Sequence, residues 1–279
     1  MPCLPAPPHL IAHRGGAALA PENTLHAFRQ SVERWRVDAI ELDVRATADG
    51  ACVVIHDAML DRTTDGTGRV ADLPLAAVRE FDAGYRFTSD DGLSYPLRGT
   101  GIRVPTFDEV LEALPVTPLI VEVKEEPAQR PLLDAIRRHR AQERVIPAGE
   151  RAADRTLFVD YPGWTSGSSE QLRRFWLLNR LRLGRFWRPT FETCQVPERH
   201  GGMRVVDRRF ISGLHRHGVL VHVWTVNDIA DMERLLDWGV DGLVTDRPDR
   251  LAQMLHRRVD RPLPPGALTN RPPGATGME

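Results

Sequence analysis

Apolar and polar positions along this chain follow two periods, and the periods take turns. Short apolar runs of strand length appear in "HLIAHRG", "AIELDVRA", "LIVEVK", "RVIPAG", "TLFVDY", "TCQVP", "VLVHVWTV" and "GLVTD". Between most of them, apolar residues recur three and four apart, as in "TLHAFRQSVERW", "TFDEVLEAL" and "DIADMERLLDWG". A period of two marks a strand and a period near 3.6 marks a helix. Strands separated by helices run parallel and build βαβ units. Eight of them predict an α/β protein with a closed (β/α)8 TIM barrel. Pro147 and Pro162 interrupt the pattern between the fourth and sixth strands.

One stretch departs from this alternation. The second strand is followed, across the turn-like "ADG", by another apolar run, "ACVVIHD", which reads as a hairpin extension. Residues 58 to about 104 then carry Asp, Gly and Thr clusters with little periodicity and are expected to form a small insertion on the catalytic face. Within it, "RTTDGTG" reads as a turn supporting His56, with a substrate contact as the rival reading. The barrel is expected to end near residue 258. From 259 the chain turns rich in Pro and Gly and reads as a disordered tail.

Strand parity places the charges. In "AIELDVRA", Ile40, Leu42 and Val44 share one face, and Glu41, Asp43 and Arg45 share the other. In "LIVEVK", Val121 and Val123 oppose Glu122 and Lys124. The apolar faces meet the surrounding helices, so the charged faces point inward, near the strand ends where barrel active sites sit. Glu41, Asp43 and Glu122 are thereby expected around one spot. Three carboxylates crowded into a partly buried site repel one another and resist ionisation unless a cation balances them. Oxygen-only ligands suit a hard ion, Ca2+ or Mg2+. The rival reading makes structural ion pairs of Glu122 with Lys124 and of Glu41 or Asp43 with an arginine. The first strand ends in His13 and Arg14, followed by two flexible glycines, and the hairpin run ends in His56. Two histidines at separate strand ends can serve as a general acid and base, and an arginine fork can hold phosphate oxygens.

Composition narrows the partners. The 279 residues carry a net charge of −1, which gives no bulk argument for nucleic acid. Three widely spaced cysteines, Cys3, Cys52 and Cys194, read as free thiols in a reducing compartment, and a cytoplasmic location is expected. The opening "MPCLPAPPHL" reads without a signal peptide, and no apolar run approaches the ~18 residues of a membrane span. Of the 37 basic Lys and Arg side chains only Lys124 is a lysine. Residues 172 to 189, "LRRFWLLNRLRLGRFWRP", mix Phe175, Trp176, Phe186 and Trp187 with six arginines. They read either as a barrel helix with its aromatics inward or as a weak membrane-surface contact. Neither the composition nor the pattern sets an oligomeric state.

"AHRGG", "PENTLHAF", "ELDV", "VVIHD", "RTTDGTG", "VPTFDEVLEAL", "VEVK", "VWTVND" and "GVDGLVTDRP", in this order from residue 11 to about 249, resemble the glycerophosphodiester phosphodiesterases. The resemblance implies a barrel with a small insertion, one divalent cation, and hydrolysis of a glycerophosphodiester to sn-glycerol 3-phosphate and an alcohol. It assigns Glu41, Asp43 and Glu122 to the metal, His13 and His56 to acid–base chemistry, and Arg14 and Lys124 to the phosphate. It sets Trp224 against the glycerol side of the substrate; a plain core tryptophan is the rival reading. A compact ammonium fits beside a metal and a phosphoryl group where a wide guanidinium does not, which would account for the lone lysine; a chance survivor of the arginine bias is the rival reading. The Ser-Phe pair usual in the family after the next strand is missing from "RVIPAGERAADR", which leaves the alcohol side open. A lysophospholipase D acting on lipids and a silent phosphodiester-binding barrel are the alternatives.

Overall fold

The computed structural model describes residues 4–269. β1 (His9–His13), β2 (Ala39–Ala46), β4 (Leu119–Val123), β5 (Val145–Ala148), β6 (Thr193–Pro197), β9 (Leu220–Trp224) and β10 (Gly242–Thr245) form one curled sheet in the order β5-β4-β2-β1-β10-β9-β6. Each neighbouring pair in that order is parallel. The gap between β5 and β6 closes through an extended segment, 165–167. Ser166 N donates to Pro147 O at 3.0 Å, and Gly167 N donates to Thr193 O at 2.9 Å.

That link corrects one expected strand. The first half of "TLFVDY" lies in a 3-10 segment, Ala152–Phe158, and Tyr161 at its end donates to Val145 O of β5 at 2.9 Å. Leu157 and Val159, which a barrel strand would bury, are exposed, and Phe158 with the partly buried Tyr161 reaches the outer apolar layer. The following "TSG" takes the eighth place instead.

The helices follow the expected periodicity. α1 (Leu25–Trp35) is capped by Thr24, whose side chain accepts from Ala27 N, and it buries Ala27, Phe28, Ser31 and Trp35. α3 (Phe107–Ala113) starts with a reciprocal Thr106 and Glu109 cap. α4 (Gln129–Arg138), α5 (Ser169–Arg180), α6 (Arg208–His215), α7 (Ile229–Trp238) and α8 (Pro248–Val259) complete the outer layer. Ile40, Leu42 and Val44 pack outward with Phe28, Phe107 and Val110. Ile11, Ile120, Ile146 and Val244 fill the barrel's interior.

β3 (Cys52–Val54) pairs antiparallel with the C-terminal half of β2, Val44 opposite Val54, so the hairpin stands at the mouth. The residues beyond it include α2 (Leu75–Val78) and enclose a small core of Ile55, Leu60, Val70, Val78 and Val104. β7 (Arg199–His200) and β8 (Met203–Arg204) make a separate short hairpin.

Part of the expected tail is ordered. Arg261 donates to Asp38 Oδ2 at 2.7 Å, and α9 (Pro265–Thr269) sets Gly266 where a Cβ would lie 2.6 Å from the Trp35 ring. An arginine donating to both Asp38 and the Pro8 carbonyl, and a close backbone approach, hold this Pro-rich stretch without apolar periodicity. Residues 270–279, the rest of that expectation, lie outside the described residues. Among the described residues no helix is long and apolar enough to cross a membrane.

The barrel floor is polar. His9 Nδ1 lies 3.1 Å from His222 Nε2, and both rings are buried. Burial, with His9 beside it, pushes the His222 pKa down to about 3. An unfolded chain protonates such a ring near 6.5, as the folded one does not. Stability carried by this pair is therefore lost as pH falls below that value, at roughly 1.4 kcal/mol per pH unit at most. We expect urea midpoints to fall more steeply between about pH 7 and pH 5 for the parent than for His222→Gln. Equal slopes would mean that His222 titrates normally in the fold.

Candidate active site

The site begins with a turn. After His13, three consecutive residues adopt left-handed backbone: Arg14 at φ 50, Gly15 at 83 and Gly16 at 89. A Cβ on Gly15 would lie 2.6 Å from the Phe28 ring, so only glycine lets β1 turn this tightly over α1. The turn aims Arg14 N at Glu41 Oε2, 3.1 Å away. The Arg14 guanidinium reaches Glu22 Oε1 at 2.9 Å and Asp43 Oδ2 at 3.3 Å. Asn23, itself left-handed at φ 57, clamps Asp43 twice. Its Nδ2 donates to Oδ2 at 2.9 Å, and its Oδ1 accepts from the Asp43 backbone at 3.2 Å.

Register gathers the carboxylates. His13 stands opposite Glu41, and Asp43 opposite Glu122. One oxygen from each of Glu41, Asp43 and Glu122 lies within 4.8 Å of the others. Glu41 and Asp43 are buried. Burial, reinforced by Asp43, raises the Glu41 pKa to about 7. Burial also works to raise Asp43, but Lys124, Arg14 and His56 together outweigh it and hold that carboxyl below its ordinary range. Lys124 Nζ lies 3.0 Å from both Asp43 Oδ1 and Glu122 Oε1. Burial opposes its charge, and the two carboxylates more than restore it. The residues fit a hard divalent cation: the donors are all oxygen, and a buried Glu41 held near neutrality is short of positive charge.

The two histidines are built alike. His13 Nδ1 lies 2.6 Å from Asp246 Oδ1, and His56 Nδ1 lies 2.6 Å from Asp57 Oδ1. A carboxylate at Nδ1 holds the proton there and leaves Nε2 to work as the acceptor. His13 Nε2 lies 3.9 Å from Glu41 Oε2. Burial lowers the His13 pKa, but the Asp246 hydrogen bond and Glu41 overcome it, and the net shift is upward. Asp246 is itself fixed by Asn227, which donates from Nδ2 at 2.8 Å. Asp57 is held by Arg62, and Arg62 also donates to both oxygens of Glu22 at 2.7 Å. Burial would raise the Asp57 carboxyl; Arg62 and His56 instead bring it down to about 2. The backbone oxygen of His56 accepts from Arg45 Nε at 2.8 Å.

Seven of the eight sequence-derived residues thus come together: His13, Arg14, Glu41, Asp43, His56, Glu122 and Lys124. Trp224 ends β9, shares the inward parity of His222 and is 44% exposed at the mouth. Asp57, Asp246, Asn227, Glu22, Arg62 and Asn23 escaped sequence reasoning. Asp246 was within reach of it, because it continues the parity of Val244 at the end of β10, the strand beside β1. "RTTDGTG" does act as a turn. Thr64 is buried and donates to Leu60 O at 2.9 Å, and the fold presents Arg62 to Asp57.

Residues 13–250 match the Glycerophosphoryl diester phosphodiesterase family. A glycerophosphodiester phosphodiesterase of Caldanaerobacter subterraneus is 31% identical over 255 residues, covering 89% of this chain and 98% of its own. Two solved structures share the fold. The glycerophosphoryl diester phosphodiesterase domain of a Mycobacterium tuberculosis protein has a TM-score of 0.79 and 21% identity, over 90% of this chain and 100% of that one. An Oleispira antarctica phosphodiesterase, solved with the product sn-glycerol-3-phosphate, has a TM-score of 0.68 and 24% identity, over 91% and 98%. With a match that runs from the first catalytic-face strand end to α8, this chain belongs to the glycerophosphoryl diester phosphodiesterase family.

Proposed function

We propose that the chain hydrolyses glycerophosphodiesters to sn-glycerol 3-phosphate and an alcohol, with one divalent cation, Ca2+ or Mg2+, on Glu41, Asp43 and Glu122. The observation that supports this most is the pair of histidines beside one acidic cluster, each with Nδ1 engaged by an aspartate. The product held by the Oleispira antarctica relative accords with it. Bound there, a cation would offset charge on the phosphoryl oxygens. The chain's own residues supply the rest. Arg14 and Lys124 bring donors to the phosphate, and Trp224 offers an apolar wall to the glycerol. Cys52 and Cys194 are buried free thiols, which accords with a cytoplasmic setting.

The substrate carries its own nucleophile, the glycerol 2-hydroxyl. One histidine takes its proton at Nε2 as the hydroxyl oxygen bonds to phosphorus. The other gives a proton to the alcohol oxygen as the P–O bond to it breaks. Water then opens the 1,2-cyclic phosphate with the two roles exchanged, and the 2-hydroxyl regains its proton. Intramolecular attack places the nucleophile without a separately bound water, which supplies several kcal/mol of the barrier. Asp246 and Asp57 hold a proton on each Nδ1, so that Nε2 is the atom that takes or gives the catalytic proton.

Two measurements test this reading. A 2-deoxyglycerol diester is expected to bind as an inhibitor and to release no alcohol, while the natural diester turns over to sn-glycerol 3-phosphate. Turnover of the deoxy compound at a comparable rate would make water the nucleophile. The ammonium of Lys124 fits between two carboxylates 3.0 Å away on either side, where a planar fork does not. Lys124→Arg is therefore expected to lose roughly 10²-fold in kcat/KM, close to the loss in Lys124→Ala. Near-parental kcat/KM in Lys124→Arg would show that charge alone is required.

A further inference from the structure

The outward face of α5 and the turn after it have a composition that neither the barrel nor the mouth uses. The helix buries Leu172, Phe175 and Asn179. Its exposed stripe is Arg173, Arg174, Leu177, Arg180 and Leu181, at helical spacings of one, four, seven and eight. A solvated helix face needs no leucines, yet Leu177 is 54% exposed and Leu181 59%. The 3-10 turn that follows adds Leu183 and Phe186, the latter 66% exposed with Arg185 over its ring at 4.6 Å. The other aromatics of this segment turn inward: Phe175 and Trp187 pack at 4.9 Å, and Trp187 meets Phe191 at 5.5 Å. Phe186 alone of the four aromatics stands fully outward.

Charge is equally uneven. Residues 171–191 hold six arginines and no acid, in a chain whose net charge is −1. Among the described residues, Asp207, 3.6 Å from Arg180, makes the one salt bridge to those six, and Glu170 feels the charge of Arg173. Exposed Arg208 and Arg209 of α6 extend the basic surface, with Arg209 donating to the carbonyl end of α5 at Asn179.

We propose that this face docks the protein on an anionic phospholipid surface. Six guanidinium groups match lipid phosphates, and the four outward apolar side chains among them have a place to go only where the polyanion overlies hydrocarbon. Nucleic acid would use the arginines and leave the leucines in water. The placement also sets an orientation. α5 runs back from its start at Ser168 toward β6, and Gly184 in the turn accepts from His217, which precedes β9. The patch thus lies toward the N-terminal ends of the strands, away from the mouth. A docked molecule keeps its mouth toward water and serves soluble diesters rather than lipids of the leaflet it sits on.

Sedimentation of the full chain with vesicles tests this. Binding is expected to phosphatidylcholine vesicles containing phosphatidylglycerol and not to pure phosphatidylcholine. Leu181→Ser/Phe186→Ser and Arg182→Glu/Arg185→Glu are each expected to weaken it by about tenfold or more. All four positions are exposed, so turnover of a soluble glycerophosphodiester reports that the variants remain folded and is expected to be unchanged. No binding to the anionic vesicles would overturn the proposal. So would an unaffected Leu181→Ser/Phe186→Ser variant, or duplex DNA that competes the protein off the vesicles, because either would make the patch a site for polyanions only.

Discussion

Three carboxylates confined at the ends of two adjacent strands set the terms for the rest of the site. Each loses hydration on burial, and each raises the cost of ionising the next. The chain answers with Lys124 between Asp43 and Glu122, Arg14 along Asp43, and Asn23 hydrogen-bonded to the same carboxylate. Those answers suffice for Asp43 and not for Glu41, which remains near neutrality. The unequal outcome follows from geometry. Both cationic heads reach Asp43, whereas Glu41 has a backbone N–H from Arg14 and a histidine 3.9 Å away.

The compensation is also what joins the hairpin and its extension to the barrel. Glu22 receives Arg14 from the first strand end and Arg62 from the residues beyond β3. Arg62 continues to Asp57 and so to His56, while Arg45 of β2 holds the His56 carbonyl. One side chain therefore orders a phosphate-binding candidate and, through two further contacts, one of the two histidines. On the other side, Asn227 and Asp246 hold His13 through hydrogen bonds that share no partner with that network, although the Arg14 charge is felt by both His13 and Asp246. The two histidines are positioned independently, which suits groups that exchange acid and base roles.

Much of this was legible in the sequence because strand parity is a strict rule. It put Glu41, Asp43 and Glu122 on one face and Val121 and Leu42 on the other, as the packing has them. It failed where the backbone is not a strand. "TLFVDY" has strand composition, yet Leu157 faces solvent in a 3-10 segment and Val159 does so at its C-cap. The short link that replaces it has no apolar pattern to read. The aspartates behind the histidines were hidden for another reason. Asp246 meets His13 at 2.6 Å only because the closing sheet sets β10 beside β1, whereas Asp57 follows His56 directly and their 2.6 Å contact is a local one that strand parity does not report. The order in residues 261–269 rests on Arg261 and a glycine against Trp35, and composition alone reports neither contact.

The claim that a cation completes the carboxylate cluster has a direct thermodynamic test. A Glu41 carboxyl with a pKa about 7 carries a proton part of the time near neutrality, and a cation binding there must expel it. Calorimetric titration of metal-stripped protein with Mg2+ or Ca2+ at neutral pH, repeated in buffers of different ionisation enthalpy, counts that proton. The account expects a single site that releases on the order of half a proton, with Glu41→Gln abolishing the release and weakening the binding. Saturable binding with no proton released, or binding equally tight in Glu41→Gln, would contradict it.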